Sequence, residues 1–293
     1  MTGRALVLGG GGSAGNAWLI GVITGLSDAG VDVTGADLVV GTSAGATAAA
    51  QIAGRSPADL LADVLAAPSS RPGGAGGSRA GRGPGGPAVD HLERTGRIIA
   101  AAEDVADMRR RLGASACELE AASDGSWSGR WRATVAARLP GAVWPERALL
   151  LTAIDARTGE PVVLDRGSGV DLVDAVAAST SSGLPYRIGE DRYLDGAYRR
   201  NENADLAAGY ERVLVLSPLG GRTRMPLEWG TDLAAQVAEL RAGGSRVEVV
   251  LPDDRSLDAF GGNLMDQSTR PPSARAGHAQ GRAVAERVAT LWC

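Results

Sequence analysis

The segment from Asp37 to Gln51 constrains the fold of this chain more than any other. An apolar run, DLVV, leads into GTSAG at residues 41–45 and then into an alanine-rich stretch. This order predicts a strand, a sharp turn and a helix, because a G-x-S-x-G turn holds its serine at the apex in a strained backbone conformation. Ser43 would then face solvent at the N-terminus of a helix, where the helix dipole favours negative charge.

A second glycine-rich turn precedes this segment. Arg4 to Leu8 is an apolar run that enters GGGGSAG at residues 9–15, and apolar residues with helical spacing follow from Asn16 to Ala29. Gly30 ends this helix, so Ser43 comes after a complete βαβ unit. Parallel strands joined by a right-handed crossover would place the glycine loop and the serine turn at the same carboxyl edge of a sheet. Two such loops at one edge predict one site.

The remaining elements mostly alternate between strands and helices. They are hairpins at 148–164 and 186–194, strands at 212–217 and 246–251, and helices at 171–178, 231–241 and 273–291. Alternation of this kind predicts an α/β fold, because parallel strands need helical crossovers that cover both faces of the sheet. We expect a three-layer α/β/α sandwich with a mainly parallel central sheet.

The length of 293 residues favours a single domain over residues 1–293, since α/β proteins of this size are often one domain. Within it, residues 66–90 are nearly free of apolar side chains and rich in glycine, proline and arginine, which predicts a mobile loop. Helical spacing over residues 91–147 predicts a helical cap. Three tryptophans there are candidates to line an acyl pocket. They are Trp127, Trp131 and Trp144.

Charge and hydropathy exclude several classes of partner. The net charge of −4 gives no global attraction to nucleic acid. No stretch approaches the roughly 20 apolar residues that span a bilayer, and the N-terminus lacks the features of a signal peptide. We therefore expect a cytoplasmic protein that meets lipid from the aqueous side, with at most transient contact with a membrane surface. Cys117 and Cys293 fit no metal spacing, and the sequence does not indicate an oligomeric state.

A serine nucleophile requires a base, and the sequence offers few. The chain has two histidines, His91 and His278, and neither stands in a recognisable motif. Asp195 ends a predicted strand in a tight Asp-Gly-Ala turn, where a carboxylate can be held toward a cleft. The same Asp-Gly pair is also common in ordinary surface turns.

Taken together, these motifs resemble the patatin-like phospholipase family. The resemblance rests on the glycine loop, the serine turn and the DGA motif in this order, and it covers most of residues 4–218. It implies a patatin-like fold and a serine acyl hydrolase that cleaves lipid or other acyl esters through a serine–aspartate dyad, with no metal and no organic cofactor. Carried to this chain, Ser43 is the nucleophile, Asp195 is the base, and the N–H groups of Gly10, Gly11 and Gly12 form the oxyanion hole.

The resemblance also assigns supporting roles to small residues within the three motifs. These are Gly15, Gly41, Gly45, Gly196 and Ala197. One position departs from the family, because Ala14 stands where a basic residue usually precedes the last glycine of the loop. Hydrolysis of acyl esters is therefore better supported than a preference for phospholipids. Four arginines near the Asp195 turn are candidates to supply a replacement charge, namely Arg187, Arg192, Arg199 and Arg200.

Three other interpretations stay open. An α/β-hydrolase triad of Ser43, Asp195 and His278 has the right chain order, although the serine turn of that fold normally follows more strands. A dinucleotide-binding module would use the G-x-G-x-x-G match in the glycine loop, with Asp32 as the ribose ligand. A patatin-like scaffold that has lost its activity would be consistent with Ala14 and the long insert.

Overall fold

A computed structural model describes residues 3–66, 87–139 and 141–293 of the chain. The strands of its central sheet are β1 (Arg4–Leu8), β2 (Leu38–Gly41), β3 (Ala148–Asp155), β4 (Pro161–Leu164), β5 (Tyr186–Ile188), β6 (Asp191–Asp195), β7 (Arg212–Leu216) and β8 (Arg246–Val250). They follow the order β5-β6-β3-β2-β1-β7-β8, and β4 also pairs with β3. Strands β3, β2, β1, β7 and β8 are parallel, whereas β4, β5 and β6 pair antiparallel.

The helices of the described residues are α1 (Gly12–Asp28), α2 (Ala44–Gly54), α3 (Pro57–Ala66), α4 (Pro87–Ala101), α5 (Val105–Ala121), α6 (Trp127–Arg138), α7 (Leu172–Ser179), α8 (Leu233–Ala242), α9 (Asp254–Phe260) and α10 (Arg270–Trp292). An aspartate precedes α5, α7, α8 and α9, and its side chain accepts a hydrogen bond from a backbone N–H in the first turn. Such caps satisfy amides that have no partner within the helix, which explains where these helices begin.

The alternating side chains of β1 show why the fold has three layers. Leu6 and Leu8 are buried in one core, together with side chains of α1, α2, α7 and α10. Ala5 and Val7 face the opposite side, where they are buried with side chains of α8. Because both faces of the sheet are covered, the central strands β1, β2 and β7 are nearly continuous apolar runs. The predicted three-layer α/β/α sandwich with a mainly parallel sheet is confirmed.

Several element boundaries differ from those predicted. Helix α1 begins at Gly12 rather than Asn16, because burial of its first turn overrides the low helix propensity of glycine. Helix α10 begins at Arg270, before two prolines that were predicted to lie outside the helix. Proline is tolerated there, since the first N–H groups of a helix have no intrahelical acceptor. The sequence analysis did not predict α3 and α9.

Helices α4, α5 and α6 occupy the stretch in which the sequence predicts a helical cap. Ile99 of α4 and Met108 of α5 are buried together with Ile154 and Leu194 of the antiparallel part of the sheet. Residues 67–86, the main part of the predicted mobile loop, lie outside the described residues. Within the described ranges, no helix has the length and hydropathy needed to cross a membrane.

Helices α1 and α10 pack in close contact through glycines. The glycines at this contact are Gly21, Gly25, Gly277 and Gly281. A Cβ atom at Gly25 would overlap the carbonyl oxygen of His278, and one at Gly281 would overlap that of Val22. The contacts run in the same direction along both helices, so the N-terminus of α10 lies beside the N-terminus of α1 and the glycine loop.

We predict that Gly25→Ala destabilises the fold. The added methyl group must displace the backbone of α10, and overpacking of this kind lowers the free energy of unfolding by about 1 to 3 kcal/mol. Gly129→Ala is the matched control, because Gly129 is an exposed glycine in α6 with open space around it. This control is expected to raise the free energy of unfolding by up to about 1 kcal/mol, through helix propensity. Urea unfolding measures both, and equal stability of Gly25→Ala and the parent chain would contradict the close contact.

Candidate active site

Ser43 lies at the apex of the turn between β2 and α2. Its backbone is strained, with φ of 54° and ψ of −115°, and only Ser43 and Asn203 combine a side chain with positive φ among the described residues. Gly45 permits the turn, because a Cβ atom there would overlap the carbonyl oxygen of Leu8. The turn therefore holds the Ser43 hydroxyl at the carboxyl edge of the sheet and at the N-terminus of α2.

Asp195 ends β6, and its carboxylate reaches Ser43. The Ser43 hydroxyl donates a hydrogen bond to Asp195 Oδ2 at 2.7 Å, across 152 positions of sequence. The Ala197 N–H donates to Asp195 Oδ1 at 2.9 Å and so orients the carboxylate. Asp195 is 5 % exposed, and this burial raises its pKa to about 6, although the hydrogen bonds from Ala197 and Ser43 act to lower it. The carboxylate therefore titrates close to neutral pH.

Asn203 connects the serine turn to the Asp195 turn. Its fully buried Nδ2 atom lies 3.0 Å from Thr42 Oγ1 and 3.2 Å from the carbonyl oxygen of Gly196. The Thr42 hydroxyl also lies 3.0 Å from that of Thr152, against which Gly196 packs without room for a Cβ atom. This network was not predicted. The sequence feature that could have indicated it is an asparagine in a polar loop. Asparagine tolerates the left-handed backbone conformation, and Asn203 adopts it.

The glycine loop lies beside Ser43, but its three amides differ. The N–H group of Gly10, which was predicted to contribute to an oxyanion hole, already donates to the carbonyl of Asn201 at 3.0 Å. The N–H groups of Gly11 and Gly12 meet no acceptor among the described residues. Gly12 starts α1 and lines the same cleft as Ser43, so the N-termini of α1 and α2 both lie at the cleft.

The other residues of the motifs occupy tight positions. Gly15 packs against Pro218, and Gly41 packs against Ala46, each too closely for a Cβ atom. The backbone amide of Ser43 is itself engaged, since it donates to Ser179 Oγ at 3.0 Å. These contacts hold the backbone of both turns in place.

Ser43 and Asp195 face a narrow cleft of about 70 Å³. Its walls come from the first turns of α1 and α2, from α6, from the loop after α7, and from residues 265–270. Of the three predicted tryptophans, Trp131 lines the cleft, while Trp127 stacks on Trp131 and Trp144 donates to the carbonyl of Val170. Ligand sites usually measure roughly 300 Å³ or more, so the walls must move apart to admit an acyl chain.

The four arginines predicted to supply a charge are all engaged elsewhere. Arg187 and Arg192 bind Glu120, Arg199 binds Asp205, and Arg200 binds Glu239. Two other arginines line the cleft, Arg138 from α6 and Arg270 from α10. The sequence analysis missed both, because their position depends on how these helices pack against the rest of the fold.

Two alternative interpretations are wrong. His278 Nε2 lies 2.8 Å from Asp28 Oδ2 and does not line the cleft, so it forms no triad with Ser43. Asp32 precedes β2, at the edge of the sheet opposite the glycine loop, and its side chain accepts hydrogen bonds from Thr34. It is therefore not placed to bind a ribose held at that loop.

The comparisons with known proteins agree with this geometry. The sequence model of the patatin-like phospholipase family matches residues 6–208, a range that includes the glycine loop, the serine turn and the DGA motif. The chain belongs to this family. The resemblance inferred from the motifs is thus confirmed, and the family acts on ester bonds of lipids. Arg270 and the rest of α10 lie beyond the matched range.

Two further comparisons add little detail. No curated protein matches this patatin-like chain in sequence. Among solved structures, VipD from Legionella pneumophila is similar with a TM-score of 0.43 and 13 % identity, over 98 % of this chain and 67 % of that one.

We predict that Asp195→Asn stabilises the folded chain at alkaline pH. Burial raises the pKa of Asp195 to about 6, and an unfolded aspartate titrates near 3.9. The folded state thus holds its proton more tightly, so the penalty for burying the charge is absent below about pH 4 and complete above about pH 6. Urea unfolding should show a gain of about 2 kcal/mol at pH 8 and almost none at pH 4.

Asp205→Asn is the control with the opposite sign. Burial alone would raise the pKa of Asp205, but the hydrogen bond and charge of Arg199 lower it overall. This variant should therefore lose stability at pH 8 and lose less at pH 2. Equal effects of the two variants at pH 8 would contradict the assignment of the Asp195 pKa.

Proposed function

We propose that this chain hydrolyses acyl-ester bonds of lipids, with Ser43 as the nucleophile and Asp195 as the base. The observation that carries the proposal is the 2.7 Å hydrogen bond from the Ser43 hydroxyl to a buried carboxylate. Among the described residues no histidine lines the cleft, so Asp195 is the group placed to accept the proton. Its raised pKa supports this role, because a base works best when its pKa lies near the working pH.

The reaction follows from these contacts. Asp195 accepts the hydroxyl proton as Ser43 Oγ bonds to the ester carbonyl carbon, and the carbonyl oxygen becomes negatively charged. The amides of Gly11 and Gly12, which have no acceptor in the part of the chain that the structure describes, and the N-termini of α1 and α2 are the groups that stabilise this charge. Asp195 then returns its proton to the leaving alcohol, which leaves an acyl group on Ser43. A water molecule deprotonated by Asp195 releases the fatty acid and restores the serine.

We further propose that residues 1–293 form one patatin-like domain in which α4, α5 and α6 act as a cap. Two observations support this arrangement. Trp131 and Arg138 bring α6 to the wall of the cleft. Helix α10, beyond the range matched by the family, packs tightly on α1 and supplies Arg270 to the same wall.

We predict that Ser43→Ala and Asp195→Asn each lower kcat for a short-chain p-nitrophenyl ester by about 10³-fold or more, because each removes a partner of the same proton transfer. Circular dichroism and thermal unfolding should show an intact fold. His278→Ala is the control, since His278 lies outside the cleft and should keep nearly full activity. Substantial turnover by Ser43→Ala would refute the nucleophile, and an inactive parent chain would favour the inactive-scaffold interpretation.

We predict that kcat/KM falls with acid. The base must be ionised to act, and burial raises the pKa of Asp195 to about 6. Below that pH the rate should drop about tenfold per pH unit, and above about pH 7 it should be constant. Initial rates between pH 4.5 and 8.5 measure this profile, with Ser43→Ala giving the background. A rate that stays level between pH 5 and 7 would speak against Asp195 as the base.

A further inference from the structure

The cleft holds two arginines that have no carboxylate partner among the described side chains. Neither Arg138 nor Arg270 forms an ion pair among the described residues, although both line the cleft with Ser43. Among the residues whose side chains the structure does not describe, Asp90 is the one carboxylate. Arg138 is exposed, but Arg270 is partly withdrawn from water, where an arginine is normally paired, so the charge of Arg270 calls for an explanation.

A single nitrogen of the Arg270 guanidinium, Nη1, makes the hydrogen bonds that hold this side chain in place. Nη1 lies 3.2 Å from the carbonyl oxygen of Ser13, 3.4 Å from its hydroxyl and 3.1 Å from Asn16 Oδ1. Nε and Nη2 donate to no acceptor among the described residues. Every fully buried side-chain nitrogen or oxygen of those residues has a partner, so these two atoms are not fully buried. Arg270 itself lines the cleft. Two adjacent N–H groups of arginine match the oxygens of a phosphate.

Asn16 links Arg270 to the serine turn. Its Nδ2 atom lies 3.5 Å from the carbonyl oxygen of Ala44, the residue after Ser43, and donates to Gln51 at 3.1 Å. Asn16 and Arg270 both line the cleft. An anion bound at Nε and Nη2 of Arg270 would thus share this small space with the ester that Ser43 attacks.

The electrostatics favour an anion from outside the protein. Burial, together with the charge of Arg138, lowers the pKa of Arg270 to about 10, so Arg270 stays protonated at neutral pH while its charge is poorly compensated. Asp195 does not compensate it. The pKa of Asp195 is set by burial, Ala197 and Ser43, with no contribution from either arginine.

We propose that Arg270, with Arg138, binds a phosphate group of the substrate, so that the cleft selects acyl esters that carry phosphate close to the scissile bond. The inference rests on the proposed function and adds its substrate class. Arg270 makes the bidentate contact, and Arg138, which is exposed and stacks over Trp131, adds charge at the same wall.

The first experiment compares two substrates that differ in phosphate alone, 1-oleoyl lysophosphatidic acid and 1-oleoylglycerol, in micelles of a neutral detergent. The parent chain should prefer the phosphate ester in kcat/KM by about tenfold or more, the effect of one charge-assisted hydrogen bond. Arg270→Gln should bring the ratio of the two values close to one, and Arg270→Lys should restore part of it. Arg275→Gln, an exposed arginine of the same helix outside the cleft, should keep the parent ratio. An equal loss on both substrates in Arg270→Gln would overturn the inference.

The second experiment measures binding without turnover. Inorganic phosphate should raise the Tm of Ser43→Ala by about 2 °C at ten times its dissociation constant, relative to chloride at equal ionic strength. Combining Ser43→Ala with Arg270→Gln should remove this shift in Tm, whereas combining Ser43→Ala with Arg275→Gln should preserve it. If the parent chain hydrolyses neither lipid, the proposed function fails while this assay still decides the phosphate site. If it hydrolyses both lipids equally and phosphate gives no shift, the phosphate site fails and the hydrolase stands.

Discussion

The hydrogen bond between Ser43 and Asp195 exists only because two distant turns are held at a fixed separation. Ser43 sits in a backbone conformation that is unfavourable by about 1 to 3 kcal/mol, and Asp195 is a carboxylate almost removed from water. The buried contacts of Asn203 with Thr42 and Gly196 join the two turns directly. These contacts make the strained arrangement the stable one, and the rest of the sheet serves to align the two turns.

Burial of Asp195 also brings the pKa of its carboxyl group close to that of an ordinary histidine. Two donors hold its oxygens, yet desolvation outweighs them and raises its pKa. The burial of Asp195 also leaves little space for a ligand beside it, since the cleft has a volume of only about 70 Å³. Segment 265–270 and helix α6 form part of its wall. The raised pKa of Asp195 and the small volume of the cleft thus both accompany the low solvent exposure of this site.

The sequence predicted the motifs of the site well and its charges poorly. Local patterns were sufficient for β1, β2 and both hairpins, because periodicity and turn residues act over a few positions. They were insufficient for Gly10, whose amide is taken by Asn201, and for His278, which pairs with Asp28. Proximity in sequence also suggested four arginines near Asp195, all of which pair elsewhere. The two arginines that do line the cleft come from α6 and α10, through packing that no local pattern encodes.

By itself the sequence determined the α/β class, the family and the two residues proposed for catalysis. The class follows from the alternation of strands and helices, and the family and the two residues follow from three short motifs that occur in a characteristic order. Only the tertiary structure decided which amides of the glycine loop lack an acceptor among the described residues, how strongly Asp195 holds its proton and which arginines line the cleft. Hydrogen-bond competition, desolvation and ion pairing all depend on groups that are far apart in the chain. The glycine contact between α1 and α10 shows this dependence most directly, since it holds the N-terminus of α10, which carries Arg270, beside the glycine loop.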